Sequence, residues 1–313
     1  MPWGRIYFAV QACAGAAWWV AVFTVPFVRD ATLGGLDPVL VAVFDVPLFV
    51  VASAVASLGV RVAAWVTTCW TGIVTATLAA YATVTSEAGW GVLLMAGATA
   101  ASALALCLML WGRVPTAWLI SGPFRFRPAS LSNSTLRNVL TSSAQIVVFW
   151  GVCLVVIPVL LSPLEKRWQL AFSFGPIGAW LGPALLVAAS ALGLWSAYTM
   201  STLGRGTPLP AAMTNQLVIA GPYRWVRNPM AISGIAQGVA VGFILSSWLV
   251  VVYAIAGSLV WNYAIRPFEE ADLERRFGEE FREYRDAVRC WIPASPRHPM
   301  RSPLAAIGEK RVQ

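Results

Sequence analysis

Histidine is nearly missing from this chain: the single one is His298, among prolines close to the C-terminus. That excludes a His-centred catalytic triad and the zinc or iron centres that need several imidazoles. Charge is scarce as well. Charged residues make up 12% of the chain and hydrophobic ones 58%, with a mean hydropathy of +0.69, whereas soluble domains carry about 25% charged residues. A soluble globular domain is therefore excluded. The five cysteines, Cys13, Cys69, Cys107, Cys153 and Cys290, show no CxxC spacing, and four lie within apolar stretches, so neither a disulfide framework nor a metal site follows. There is no GxxxxGK[ST] loop and no dinucleotide fingerprint after a strand, which removes the soluble nucleotide-binding folds.

What is present is a succession of apolar runs of roughly twenty residues, the length that crosses a hydrocarbon core of about 30 Å. They are read as residues 6–28, 36–60, 62–84, 90–111, 139–161 and 177–200, followed by a hairpin of residues 231–245 and 248–265. A bilayer admits only helices or closed barrels, and these runs lack the alternation of barrel strands. The expected fold is an all-α integral membrane protein with about eight transmembrane segments, the last two forming a helical hairpin, followed by a cytoplasmic C-terminal helix. The first segment follows Arg5 but has no short apolar core with a small-residue cleavage site, so it is read as a retained helix and not as a signal peptide. Trp90, Trp111 and Trp248, near segment ends, read as interfacial belt residues.

Orientation follows from the arginines. Gly112 to Asn138 carries Arg113, Arg125, Arg127 and Arg137 with no acid, and Ser201 to Met230 carries Arg205, Arg224 and Arg227. The opposite loops hold Arg29 with Asp30 and Asp37, then Glu87, then Glu165 with Lys166 and Arg167. The positive-inside rule places both termini and the arginine islands in the cytoplasm, and the Ala, Val, Gly and Arg usage points to a bacterial plasma membrane. The net charge of +8 is then a topology and anionic-lipid signal, not a nucleic-acid one.

Two polar islands stand out in the apolar C-terminal third. The first runs from Gly221 through Pro222, Tyr223, Arg224, Trp225, Val226, Arg227, Asn228 and Pro229 to Met230; the second is Pro267-Phe268-Glu269-Glu270. Ala231 to Ile265 between them carries no charged side chain, so the chain enters the bilayer and returns, placing arginines and carboxylates at one membrane face. Such a cluster is costly at a membrane boundary unless it has a use. Basic residues beside a transmembrane end also serve as plain topology anchors, and the charged run beyond Asp272 reads best as a solvated helix face laced by pairs three or four apart.

These islands, together with Gly204-Arg205-Gly206-Thr207-Pro208, the run Leu217-Val218-Ile219-Ala220, Glu269-Glu270-Ala271-Asp272-Leu273, Arg276-Phe277-Gly278-Glu279-Glu280-Phe281, Tyr284 and Trp291-Ile292-Pro293, resemble the isoprenylcysteine carboxyl methyltransferase and phospholipid methyltransferase superfamily. The resemblance covers roughly residues 176–293. It implies a membrane enzyme that binds S-adenosylmethionine in a pocket built from the C-terminal helices, with a lipophilic methyl acceptor entering from the lipid side and no metal. It implies cofactor binding by Val218, Gly221, Pro222, Tyr223, Arg224, Arg227, Asn228, Pro229, Glu269 and Glu270, with Arg227, Glu269 and Glu270 as catalytic candidates. Where the common pattern reads Arg-His-Pro-x-Tyr, this chain has Arg227-Asn228-Pro229-Met230-Ala231. Asparagine keeps a donor and an acceptor but cannot transfer protons.

The chemistry of the residues agrees with that implication. S-adenosylmethionine presents a carboxylate, an ammonium, a ribose diol, an adenine and a sulfonium. Arg224 and Arg227 suit the carboxylate, Glu269 or Glu270 the ammonium or ribose, and Tyr223, Trp225, Tyr284 or Trp291 the adenine or sulfonium. The organisation expected is a transmembrane region at 1–138, a methyltransferase domain at 139–298 and a basic tail at 299–313. Two other readings stay open: a catalytically silent relative, and a small-molecule transporter suggested by the segment number and by Asp45, a carboxylate inside an apolar run. Ser121 to Pro128 echoes the Gly221 island in outline. The methyl acceptor and the oligomeric state are not legible at this level.

Overall fold

A computed structural model describes residues 3–116, 134–207 and 213–293. The Ser121–Pro128 echo, Pro208, His298 and the basic tail lie outside the described residues. Among those described, every regular element is helical, as the sequence led us to expect, and seven helices are long and apolar enough to cross a membrane where about eight such segments were expected. They are α1 (Trp3–Thr24), α3 (Pro38–Ser57), α4 (Arg61–Thr85), α5 (Gly89–Trp111), α6 (Thr135–Arg167), α7 (Gly175–Leu203) and α9 (Trp248–Phe277). The eighth apolar segment is the shorter α8 (Pro229–Ile244). Two further helices are not membrane spans: α2 (Pro26–Leu33), which the sequence reading did not separate from its neighbours, and the terminal α10 (Glu279–Ala287). The expected C-terminal helix is thus split, because Gly278 takes φ +54° and stops α9.

Three of the spans contain one wide π turn each: Val46–Val51 in α3, Gly151–Val156 in α6 and Trp261–Ile265 in α9. Each contains or closely precedes a proline, Pro47, Pro158 and Pro267 respectively. A proline has no N–H to give and its ring crowds the carbonyl four residues back, and a locally wider turn relieves that crowding without ending the helix.

The chain divides into two compact units, Met1–Pro115 with Pro163–Ala171, and Thr116–Ser162 with Phe172–Gln313. In the first, α1 packs on α3 and α5, and α5 on α4, around Phe8, Ala56, Ala64, Ala105 and Leu106. Small residues let these helices approach closely where no water drives them together. Polar side chains inside this unit bond to each other: Gln11 Nε2 donates to Ser53 Oγ (3.0 Å), and Ser102 Oγ donates to Gln11 Oε1 (2.9 Å). Asp45 is buried at the start of the π turn, and its two oxygens accept from Trp19 Nε1 (2.9 Å) and Trp70 Nε1 (2.7 Å).

In the second unit α8 lies between α7 and α9. The α7–α8 contact is tight enough that a Cβ on Gly193 would come within 2.4 Å of Ser233 Oγ, and Ser233 Oγ itself donates to the Ala189 carbonyl at 2.7 Å. The α8–α9 hairpin turns over Leu245–Ser247, where Ser247 caps α9 by accepting from Val250 N. The hairpin brings the start of α8 and the charged end of α9 to the same end of the unit, where the candidate site forms.

Candidate functional site

The site begins with a backbone device. Gly221 opens a 3-10 turn (Gly221–Arg224) with φ +57°, and a Cβ there would sit 2.8 Å from Thr199 Oγ1. Both the left-handed conformation and the close approach to α7 call for glycine. Pro222 and Tyr223 are buried under the turn, as is Val218 before it. From there the chain is pinned by a bond from Arg227 N to the Arg289 carbonyl (3.0 Å) and enters α8 with Pro229 at its first position. The first turn of α8 has no side-chain cap, so it retains backbone N–H groups suited to an anion.

Opposite this entry is the end of α9. Its apolar stretch finishes at Ile265; from Arg266 onward the same helix carries Glu269, Glu270, Asp272 and Glu274, a density of charge that belongs outside a hydrocarbon core. Arg227 Nη1 lies 3.1 Å from Glu270 Oε1, and Arg266 Nη1 lies 3.9 Å from the same oxygen. The Arg227 and Glu270 side chains are 13% and 24% exposed, so this contact is largely withdrawn from water. It is close but poorly aimed: Arg227 Nε and Nη1, Arg266 Nε and Glu270 Oε1 are all buried without a hydrogen bond. Buried polar atoms are paired in the great majority of cases, and four unpaired ones together call for an explanation.

Arg227 and Glu270 line a cavity of about 30 Å³ together with Asn228, Glu269, Leu273, Phe281 and Tyr284. Burial, reinforced by the neighbouring carboxylates of Glu270 and Asp272, pushes the Glu269 carboxyl up to about 7. Burial also raises the Tyr284 and Tyr223 hydroxyls well above the ordinary tyrosine range, so both keep their protons. Tyr284 uses its proton to donate to the Tyr223 carbonyl at 2.7 Å.

Of the residues singled out from the sequence, Arg227, Asn228, Glu269 and Glu270 thus meet at one cavity, while Val218, Gly221, Pro222, Tyr223 and Pro229 shape the backbone around it. Arg224 does not join them: it is exposed, its guanidinium 5.6 Å from the centroid of the Trp225 ring. Trp291 is taken up elsewhere, donating to Asn262 Oδ1 (3.0 Å) and meeting Trp261 edge to face. The charged run beyond Asp272 behaves as a structural face, with Asp272 paired to Arg276 (2.9 Å) and Glu274 to Arg285 (2.9 Å).

Two participants were not assigned from the sequence. Arg266 stands just before the second island, and Cys290 was set aside with the other cysteines. Cys290 Sγ accepts from Asn228 Nδ2 (3.1 Å) and from Arg266 Nη1 (3.2 Å), so the thiol joins the two islands. Phe281, Tyr284 and Val288 form a buried stripe at helical spacing, and that spacing was the available signal for the stripe.

The comparisons with known proteins bear on this region. Residues 177–280 match the phospholipid methyltransferase family. This family is part of the integral membrane methyltransferase superfamily, and the matched third of the chain runs from α7 through α9 into the first residues of α10, carrying Arg227, Glu269 and Glu270. Tyr284 and Cys290 fall beyond it. No curated protein and no solved structure matches the chain. The likeness to a membrane methyltransferase family, read first from the islands, is therefore supported independently over residues 177–280.

Proposed function

We propose that this protein is an S-adenosylmethionine-dependent methyltransferase acting on a lipophilic or membrane-delivered acceptor, with residues 139–298 as its methyltransferase domain. The observation that carries the reading is the set of buried, unpaired atoms on Arg227 and Glu270 at a cavity five of whose seven lining residues lie in the family-matched segment. The donor set fits the cofactor: Arg227 and the open first turn of α8 suit its carboxylate, and Glu269 and Glu270 suit its ammonium or ribose hydroxyls. When bound, the cofactor supplies an electrophilic methyl group on a sulfonium.

The cavity holds little more than water, so binding requires Arg227 and Glu270 to part and exchange their mutual contact for the ligand. In this reading the protein contributes position and dryness: holding the acceptor in line with water excluded would account for much of the rate. A carboxylate or amine acceptor asks for little proton transfer. A hydroxyl or thiol acceptor asks for a base, and Glu269, titrating near neutrality, is the group suited to receive that proton on its carboxylate. The arginine distribution in the loops supports a cytoplasmic site, and the residue usage a bacterial plasma membrane.

The test is calorimetric binding of S-adenosylmethionine to the protein in nanodiscs, comparing wild type with Arg227→Ala and Glu270→Ala. Saturable binding lost in both variants, with folding intact, supports the reading. Well-folded wild type that binds nothing under several lipid compositions sinks it.

A further inference from the structure

The first unit, outside the family match, has its own cavity, of about 210 Å³, lined by Arg5, Gly59, Arg61 and Met109. Topology explains the meeting. Arg5 is in the first turn of α1, Gly59 is in the turn from α3 to α4, Arg61 opens α4, and Met109 is in the last turn of α5, so all four lie at one end of the antiparallel bundle. Arg5 Nε donates to the Ser57 carbonyl (2.9 Å), which holds its guanidinium over the turn. Gly59 takes φ +102°, a conformation that calls for glycine, and stands beside the Arg5 guanidinium. Arg61 has no hydrogen bond or ion pair among the described residues, and the start of α4 has no side-chain cap.

Among the described residues, this end of the unit carries positive charge alone. Arg113, just past α5, adds a third arginine, while Asp30, Asp37, Glu87 and Glu165 are at the opposite end and Asp45 is inside α3 between two indoles. The rim is apolar and aromatic: Trp3 is 67% exposed, Trp111 58% and Leu58 73%. Exposed tryptophans beside arginines at the ends of spans mark the headgroup level of a bilayer. A cationic, partly enclosed cavity at that depth, fringed by apolar side chains, matches a phosphoryl anion that carries acyl chains.

We propose that Arg5 and Arg61 form a binding site for the phosphoryl group of an anionic phospholipid. Arg61 offers its planar fork to the phosphoryl oxygens, Arg5 supplies the donors left after its bond to Ser57, and the acyl chains lie along the exposed faces of α1 and α4. A topology anchor interacts with the headgroup region diffusely; this cavity predicts one saturable lipid.

The test is native mass spectrometry of the detergent-purified full chain titrated with phosphatidylglycerol, with phosphatidylcholine as the zwitterionic comparison. Wild type is expected to retain one phosphatidylglycerol in preference to phosphatidylcholine. Arg61→Gln should weaken retention about tenfold, the effect of losing one charged hydrogen-bonding partner. Arg61→Lys, which keeps the charge and folds under the same constraints, should weaken it less, and Arg29→Gln at the opposite end should leave it unchanged. Sodium phosphate that displaces the lipid identifies the headgroup phosphate as the recognised part. Stabilisation by sodium phosphate without any lipid adduct would transfer the site to a soluble anion and overturn the lipid assignment. Undiminished retention in folded Arg61→Gln and in Arg5→Gln/Arg61→Gln would overturn the site itself.

Discussion

Replacing Arg227 by alanine tests the site where its geometry is most specific. In the wild type Arg227 Nη1 stands 3.1 Å from Glu270 Oε1, and among the described residues Arg266 at 3.9 Å is the only other cation paired with that oxygen. Two consequences separate cleanly. Ligand binding loses a guanidinium fork: a hydrogen bond to a charged group contributes about 1.5–3 kcal/mol, so cofactor affinity should fall by roughly ten- to a hundredfold. Folding is affected through Glu270, whose buried oxygen loses its nearest cation, a loss of about 1–3 kcal/mol. Adding Glu270→Gln to Arg227→Ala removes the stranded charge, so the double variant should regain stability but not affinity. The assays are calorimetric binding and thermal unfolding in the same nanodiscs. Affinity within twofold of wild type in a well-folded Arg227→Ala protein would refute the assignment of Arg227 to the cofactor, and a double variant no more stable than the single one would refute the stranded-charge account.

Three further outcomes follow from particular residues. Because burial lifts the Glu269 carboxyl to about 7, cofactor affinity should increase as pH rises from about 6 to 8 and the carboxylate forms, and Glu269→Gln should flatten that profile. The same shift has a sign for stability: an acid with a raised folded-state pKa contributes stability below its unfolded value and loses it as pH rises through about 7, so Glu269→Gln should be the more stable protein at pH 8 in thermal unfolding. Gly221→Ala forces a side chain onto φ +57° and toward Thr199, and should cost about 1–2 kcal/mol of stability together with a measurable loss of cofactor affinity. Asp45→Asn leaves an amide NH₂ facing one of two indole donors, and should destabilise the protein by about 1–3 kcal/mol with a changed tryptophan emission; unchanged stability would show that the two indole bonds contribute nothing.

Much of the fold was legible because a bilayer turns length and apolarity into structure. A run such as Trp90 to Trp111 has one stable outcome in hydrocarbon, a helix with all its backbone bonds internal, and the structure has that helix at Gly89–Trp111. The amphipathic α2 was missed for the complementary reason. Its eight residues include Arg29 and Asp30, are too short to span, and run on directly from an apolar segment, so no composition change separates them. The break at Gly278 was likewise hidden within a continuous charged run.

The candidate site divides in the same way. Arg227, Glu269 and Glu270 were readable from sequence because charges flanking an uncharged hairpin must emerge together at one membrane face. Which charges then face each other is a matter of packing. Arg224 and Arg227 are equivalent as residue types three positions apart, yet the 3-10 turn directs one to the surface over Trp225 and the other to Glu270. Cys290 is a scattered cysteine in the sequence and becomes an acceptor for both islands only because the chain after α10 returns to the start of α8. The sequence by itself determined the membrane class, the long apolar helices, their order and the end at which charge collects, since those follow from local hydrophobicity and chain length. The tertiary structure alone decided the Arg227–Glu270 contact, the elevated Glu269 carboxyl, the role of Cys290 and the arginine cavity between α1 and α4, since burial and charge proximity exist only once distant segments are packed.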